Sequence, residues 1–202
     1  METVAVIDFE TTGMKPEQGA RATEIGAVLI RDGVVIDRYA SLMHTGAWVP
    51  PFIESLTGIT NEMLLDAPPA ERVMREVSDF VGDAPMAAHN AAFDSRFWSA
   101  ELARIDRDRP VDFACTLLLS RRLYPEAPSH KLGNLGRWAD LPSVGRAHRA
   151  LADAELAARL LLRMEADLLI RYGVEEVSHP FLCKLQQAPR RRMEELIERF
   201  AP

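Results

Sequence analysis

The sequence predicts an α/β fold with a central mixed five-stranded sheet flanked by helices. Three observations lead there. Two β-rich runs near the start are joined by Asp32-Gly33, a dipeptide suited to a tight turn with positive φ, which makes them an antiparallel hairpin. From about residue 85 onward, short apolar runs alternate with helical patterns, as in β-α units. No internal repeat, low-complexity tract or long linker separates the two halves, so one sheet has to hold both kinds of strand.

Each element has its own signal. Val4 to Asp8 is dense in β-branched and apolar residues, and Gly13-Met14-Lys15-Pro16 breaks that strand. ATEIGAVLI and VVIDRYASL are the hairpin strands. Thr60 is placed to cap a short helix, and PAERVMREVSDFVGD puts Val73, Val77 and Phe80/Val81 at helical spacing before Gly82 ends it. Pro85 to Ala88 reads as a fourth strand, Asn90 as the N-cap of a helix from about Ala91 to Ile105, and VDFACT as a fifth strand running into Leu117, Leu118 and Leu119. KLGNLGRWADL is a short helical piece weakened by two glycines. Arg149 to Arg171 carries the longest helical pattern, and a last helix is expected from Met193 to Phe200 after Arg190-Arg191-Arg192. The expected division is a main domain over residues 1–173 and a helical extension over 174–202 that packs on it or meets a partner.

Composition narrows the function. With 202 residues and 48% hydrophobic content the chain has enough apolar surface for a packed core. A formal net charge of −6 argues against a nonspecific nucleic-acid coat and requires a local basic surface or bound cations for any nucleic-acid contact. Cys115 and Cys183 lack zinc or redox spacing and read as small core residues. Neither a leader nor a run near 18 apolar residues stands out, so a cytoplasmic location without membrane contact is expected.

The chemistry-bearing signal is acidic. Asp8 and Glu10 lie two apart on a strand, so they project from one face while Phe9 points to the other. Two close carboxylates are tolerated only with a proton, a basic group or a metal between them, and oxygen donors suit magnesium or manganese. A hydrated strand end would explain the pair alone. Asp94, among Phe93, Phe97 and Trp98, and Asp153, among alanines and leucines, sit where an apolar residue would serve. Singly, each reads as a cap or as a partner of Arg96 or Arg149; jointly, the four acids point to a shared cation site. On a continuous helix His148 would stand about 140° from Asp153, but a helix starting near Arg149 leaves His148 in the preceding loop, free to reach over the acids. An imidazole there can act as a base near neutral pH.

In order along the chain, DFETTG, HNAAFD and HRALAD resemble the three motifs of the DEDD exonucleases that carry a catalytic histidine, the family of DNA-polymerase proofreading domains. The likeness covers roughly residues 4 to 165 and extends to TEIGAV, LTGIT and Lys131-Leu132-Gly133-Asn134-Leu135. The resemblance implies a ribonuclease H-like fold and 3′-to-5′ removal of nucleoside 5′-monophosphates. It implies two divalent cations, Mg2+ or Mn2+, on Asp8, Glu10, Asp94 and Asp153, with His148 as general base. It also places Thr11, Thr12, Gly13, Ile59, Asn90 and Phe93 against the terminal nucleotide, the apolar ones stacking without regard to base identity. Arg121, Arg122, Lys131, Arg146 and Arg149 are available for phosphate contacts. The expected partners are single-stranded or frayed 3′ ends and, beyond them, a DNA polymerase or a second copy of the chain. An exoribonuclease trimming short RNA, or a binding module without chemistry, are the competing readings.

Overall fold

The computed structural model describes residues 2–142 and 145–199. The first strand, β1 (Val4–Thr11), pairs antiparallel with β2 (Ala22–Arg31), and β2 pairs with β3 (Val34–Leu42). Asp32 and Gly33 join β2 to β3 with φ of 53° and 80°, as a two-residue turn between right-twisted strands requires. On its other side β1 pairs parallel with β4 (Met86–Ala88), and β4 with β5 (Phe113–Cys115), giving the order β3-β2-β1-β4-β5. The mixed five-stranded sheet is thus as expected.

Helices cover both faces. Between β3 and β4 lie α1 (Pro51–Thr57), α2 (Asn61–Leu65) and α3 (Ala70–Val81); α4 (Ala91–Ala103) links β4 to β5. After β5 come α5 (Thr116–Leu123), α6 (Leu132–Trp138), α7 (Ala150–Tyr172), α8 (His179–Leu185) and α9 (Met193–Glu198). Alternation along β1 divides the core. Val4 and Val6 join the cluster beneath α5 to α9, whereas Ala5, Ile7 and Phe9 join the cluster beneath α3 and α4. Asp8 and Glu10 therefore continue the Val4/Val6 row, on the face that α7 covers.

Thr60 caps α2 as read, its hydroxyl accepting from the Met63 N–H at 3.1 Å. Asn90 does not cap α4: its side chain makes no capping bond, and its backbone is left-handed at φ 66°, turning the chain from β4 into the helix. Asparagine serves both roles because its short amide tolerates the left-handed region. That helix ends at Ala103 instead of Ile105; α9 spans Met193–Glu198, and Phe200 lies outside the described residues. The unexpected helices are α1 and α8. Beyond residue 173, Gln186 completes the open edge of β5: its amide nitrogen donates to Phe113 O at 2.9 Å and its oxygen accepts from Cys115 N–H at 2.6 Å. Cys115 and Cys183 are buried and free.

Candidate active site

The acids gather at the carboxyl end of β1, where the antiparallel half of the sheet meets the parallel half. Such switch points leave a crevice at the strand ends. Two helices bring the remaining acids to it. From the first turn of α4, the buried Asp94 accepts the Phe9 N–H at 3.0 Å, which fastens it between Asp8 and Glu10. From the first turn of α7, Asp153 accepts the His148 N–H at 3.0 Å. His148 is exposed, stands in the preceding loop and has φ 60°. Donor atoms of Glu10, His148 and Asp153 lie within 4.8 Å of one another.

Electrostatics set this cluster apart from an ordinary surface group of acids. Burial, then Asp94, Asp153, Glu10 and Glu24, hold the Asp8 carboxyl well above the usual carboxylate range. The neighbouring charges that raise Asp8 are thus all carboxylates. Glu10 is pushed up to about 8 by burial, Asp153 and Glu24, with Arg149 pulling the other way. Asp94 is raised by burial against the lowering of its bond from Phe9, and Asp153 is raised by burial against His148. Four carboxyls built to be protonated or neutralised, with oxygen donors plus one imidazole, fit hard divalent cations.

Close approach of α7 depends on Gly26, the cross-strand partner of Asp8. A Cβ on Gly26 would stand 2.4 Å from the carbonyl carbon of Ala150, so the start of α7 rests directly on the β2 backbone. The first N–H of α7 is satisfied from β2 as well: Ala150 donates to Glu24 at 2.9 Å, and Arg149 forks onto the same carboxylate, with Nη2 at 2.6 Å. A parallel arrangement holds α4. Buried Glu101 accepts the Ala22 N–H at 3.2 Å and two bonds from Arg21 at 2.8 and 2.9 Å. Glu24 and Glu101 escaped the sequence reading, although an acid set among apolar residues is the signal that drew attention to Asp94.

The remaining residues divide. The Thr11 hydroxyl donates to Gly13 O at 2.6 Å, and the Thr12 hydroxyl accepts the Arg21 N–H at 3.0 Å, so both shape the loop after β1. Gly13 would carry a Cβ in ordinary contact with Ala20. Phe93 is half-buried against Phe97, with ring centroids 4.9 Å apart. Ile59 is fully buried with Val49 and Leu64, so its side chain is core in this structure and not a surface wedge. Of the basic residues, Arg149 is engaged by Glu24, and Arg122 donates to Leu118 O and Ala188 O. Lys131, Arg121 and Arg146 are exposed, and the Arg146 guanidinium lies over Gly58 in LTGIT. His89, in HNAAFD, pairs its Nδ1 with the Thr116 hydroxyl at 2.9 Å and its Nε2 with His130 O at 3.0 Å. Burial pushes His89 down to about 4, so it is a neutral clamp between the β4–α4 turn and the loop before α6.

Comparison with known proteins adds to this geometry. The profile of the RNase T exonuclease family matches residues 5–161. The DNA polymerase III subunit epsilon of Aquifex aeolicus is 32% identical over 174 residues, covering 85% of each chain. The PolC-type DNA polymerase III of Bacillus subtilis is 36% identical over 170 residues, which are 82% of this chain and 12% of that protein. The chain spans only 11% to 13% of the length of these PolC-type relatives. Two solved structures share the fold. Exonuclease X in complex with 5′ overhanging duplex DNA has a TM-score of 0.67 at 24% identity, covering 96% of this chain and 99% of that one. The nuclease domain of 3′hExo, a DEDDh family member bound to rAMP, has a TM-score of 0.69 at 22% identity, covering 82% and 92%. No helix among the described residues is long and apolar enough to cross a membrane. Three motifs in order on a mixed five-stranded sheet, together with a family profile and a relative of matching coverage, establish that the chain belongs to the RNase T exonuclease family.

Proposed function

We propose that the chain hydrolyses the terminal phosphodiester at the 3′ end of single-stranded or frayed DNA and releases nucleoside 5′-monophosphates, in proofreading or repair. The observation that carries this reading is the convergence of Asp8, Glu10, Asp94 and Asp153, all raised in pKa, beside His148. These four acids would hold two divalent cations, Mg2+ or Mn2+. When bound, such cations make water a competent nucleophile at neutral pH and neutralise charge on the leaving oxygen.

The chain supplies the rest. His148, exposed in its loop and tied through its backbone to Asp153, takes the proton of the attacking water as the P–O3′ bond breaks. Phe93 offers an apolar surface for the terminal nucleotide, and Asn90 stands at the turn beside it. Thr11, Thr12 and Gly13 would meet the terminal nucleotide from the loop after β1, with buried Ile59 supporting the LTGIT segment from within. Lys131, Arg121 and Arg146 offer exposed charge for phosphates. On this reading residues 1–173 are the exonuclease domain and 174–202 an extension to it; the Gln186 bonds to β5 support the packing of that extension's described part on the domain. The epsilon and PolC-type relatives, both named as DNA polymerase III proteins, favour association with a DNA polymerase.

The test is digestion of matched DNA and RNA oligonucleotides labelled at the 5′ end, with paired and mismatched 3′ termini. Stepwise shortening of DNA, faster at the mismatch, abolished by EDTA and restored by Mg2+ or Mn2+, is expected. Preference for RNA would turn the assignment to an exoribonuclease. Activity indifferent to EDTA would remove the cations, and binding without cleavage would leave a noncatalytic module.

A further inference from the structure

Glu10 and Glu24 are cross-strand partners in the antiparallel pairing of β1 with β2. Opposed carboxylates on one face of a sheet repel, so such a pair persists only if each finds its own countercharge. Glu24 has one. Arg149 places Nε at 3.2 and 3.1 Å from its two oxygens and Nη2 at 2.6 Å, and the Ala150 N–H adds a fourth bond. Glu24 is buried, with a side chain 6% exposed, while that of Arg149 is 39% exposed. Among the described residues Glu10 has no comparable partner, and Asp153 and His148 stand beside it.

Arg149 is a cation on a flexible stem, anchored one residue from His148 and already pulling on Glu10. It occupies the N-cap position of α7 without capping it; Glu24, reaching across from β2, provides the capping acceptor. One carboxylate therefore does two things. It fixes the first turn of the helix that carries Asp153, and it detains a guanidinium beside the cation site.

We propose that Glu24 is a positioning residue for the cation site: it caps α7 and keeps Arg149 off Glu10, leaving Glu10 free to bind a divalent metal. This rests on the metal reading given above. Without Glu24, the guanidinium is released next to the half-buried Glu10 carboxylate and becomes the internal competitor of the metal. Removing that competitor should then restore metal binding even though Glu24 is still absent.

The experiment measures Mn2+ binding to the full-length protein, from the paramagnetic resonance signal of free Mn2+ and from the Mn2+-induced rise in Tm. Glu24→Gln keeps an acceptor for the Ala150 N–H but loses the charge that detains Arg149. Its Mn2+ affinity is expected to fall by about 10- to 100-fold, the range found when a residue supporting a metal ligand is changed. Adding Arg149→Met to Glu24→Gln is expected to bring affinity back to within a few-fold of wild type. Should Glu24→Gln not fold, Glu24→Asp, which withdraws the charge by one methylene, takes its place with a smaller loss and the same rescue. Unchanged affinity in the folded single variant overturns the proposal. A double variant as weak as the single one overturns it too, because displacement of α7 and not a competing cation would then be the cause. Failure of the wild type to bind Mn2+ would instead overturn the metal reading, and the proposal with it.

Discussion

The Phe9 N–H donates to the Asp94 carboxylate at 3.0 Å, so the residue between the two strand acids is the one that holds the third. Asp94 is at once a candidate ligand and the fastening of α4 to β1.

The two roles separate by substitution. Asp94→Asn keeps an oxygen for the Phe9 N–H and should retain the fold while turnover falls by at least on the order of 100-fold. Asp94→Ala should lose turnover equally and also stability, since an unpaired buried N–H costs about 1–3 kcal/mol. Urea midpoints beside exonuclease rates for the two variants check this.

Metal and pH are linked through Glu10. In the metal-free fold its carboxyl sits at about 8 against an ordinary 4.5, so the folded state holds more protons than the unfolded state in that window. Stability from this group is present at low pH and is lost as pH rises towards 8. Cation binding takes the ionised form, so the Tm difference between Mg2+ and EDTA should widen from acid to mildly alkaline pH. A difference independent of pH would contradict the assignment of Glu10 as a ligand.

His89 acts with the opposite sign. Its folded value of about 4 lies below the ordinary 6.5, so the unfolded state takes up the extra proton and stability declines as pH falls through that range. His89→Gln, which can still donate to His130 O, should flatten the decline. Denaturant midpoints measured across this range in both proteins, with EDTA present throughout, would reveal it.

Two glycines should respond in opposite ways. Gly26→Ala drives a methyl to 2.4 Å from the Ala150 backbone, where nothing flexible can yield. Its expected effects are about 1–3 kcal/mol of destabilisation and loss of activity as α7 shifts. At Gly133, inside α6, the nearest atom is the tip of Arg137 at 4.0 Å. Gly133→Ala should stabilise by about 0.5–1 kcal/mol, since a helix interior gains by the exchange. Thermal melts and rates of the two variants give the comparison.

Loss of the base should appear in turnover. His148→Ala is expected to lower kcat by about 10²- to 10⁴-fold with KM changed only a few-fold. Because His148 has φ 60°, His148→Gly suits the backbone and should show the same kcat loss without a lower Tm. Steady-state kinetics showing a rise in KM with kcat intact would move His148 from proton transfer to binding.

What the sequence discloses follows from where physics is local. The Asp32-Gly33 turn was legible because two consecutive positive φ values leave few residue choices, and α7 because its apolar stripe runs for 23 residues. Asp94 and Asp153 stood out because charge in apolar surroundings needs a reason. By contrast, α1 and α8 are seven residues each and owe their stability to packing, which no short window shows. Asn90 misled because one side chain serves two backbone roles. The burial of Ile59 and the Glu24–Arg149 fork arise from long-range contacts, and spacing says nothing of those.

Gly26 has a further consequence for how the protein is born. Asp8, Glu10 and Asp94 belong to the portion synthesised first, but Asp153 and His148 arrive only when α7 lands in the notch that Gly26 leaves. A chain in which α7 is undocked thus lacks two members of the candidate cluster. That single backbone contact makes the completeness of the acidic cluster depend on the seating of one helix against one strand.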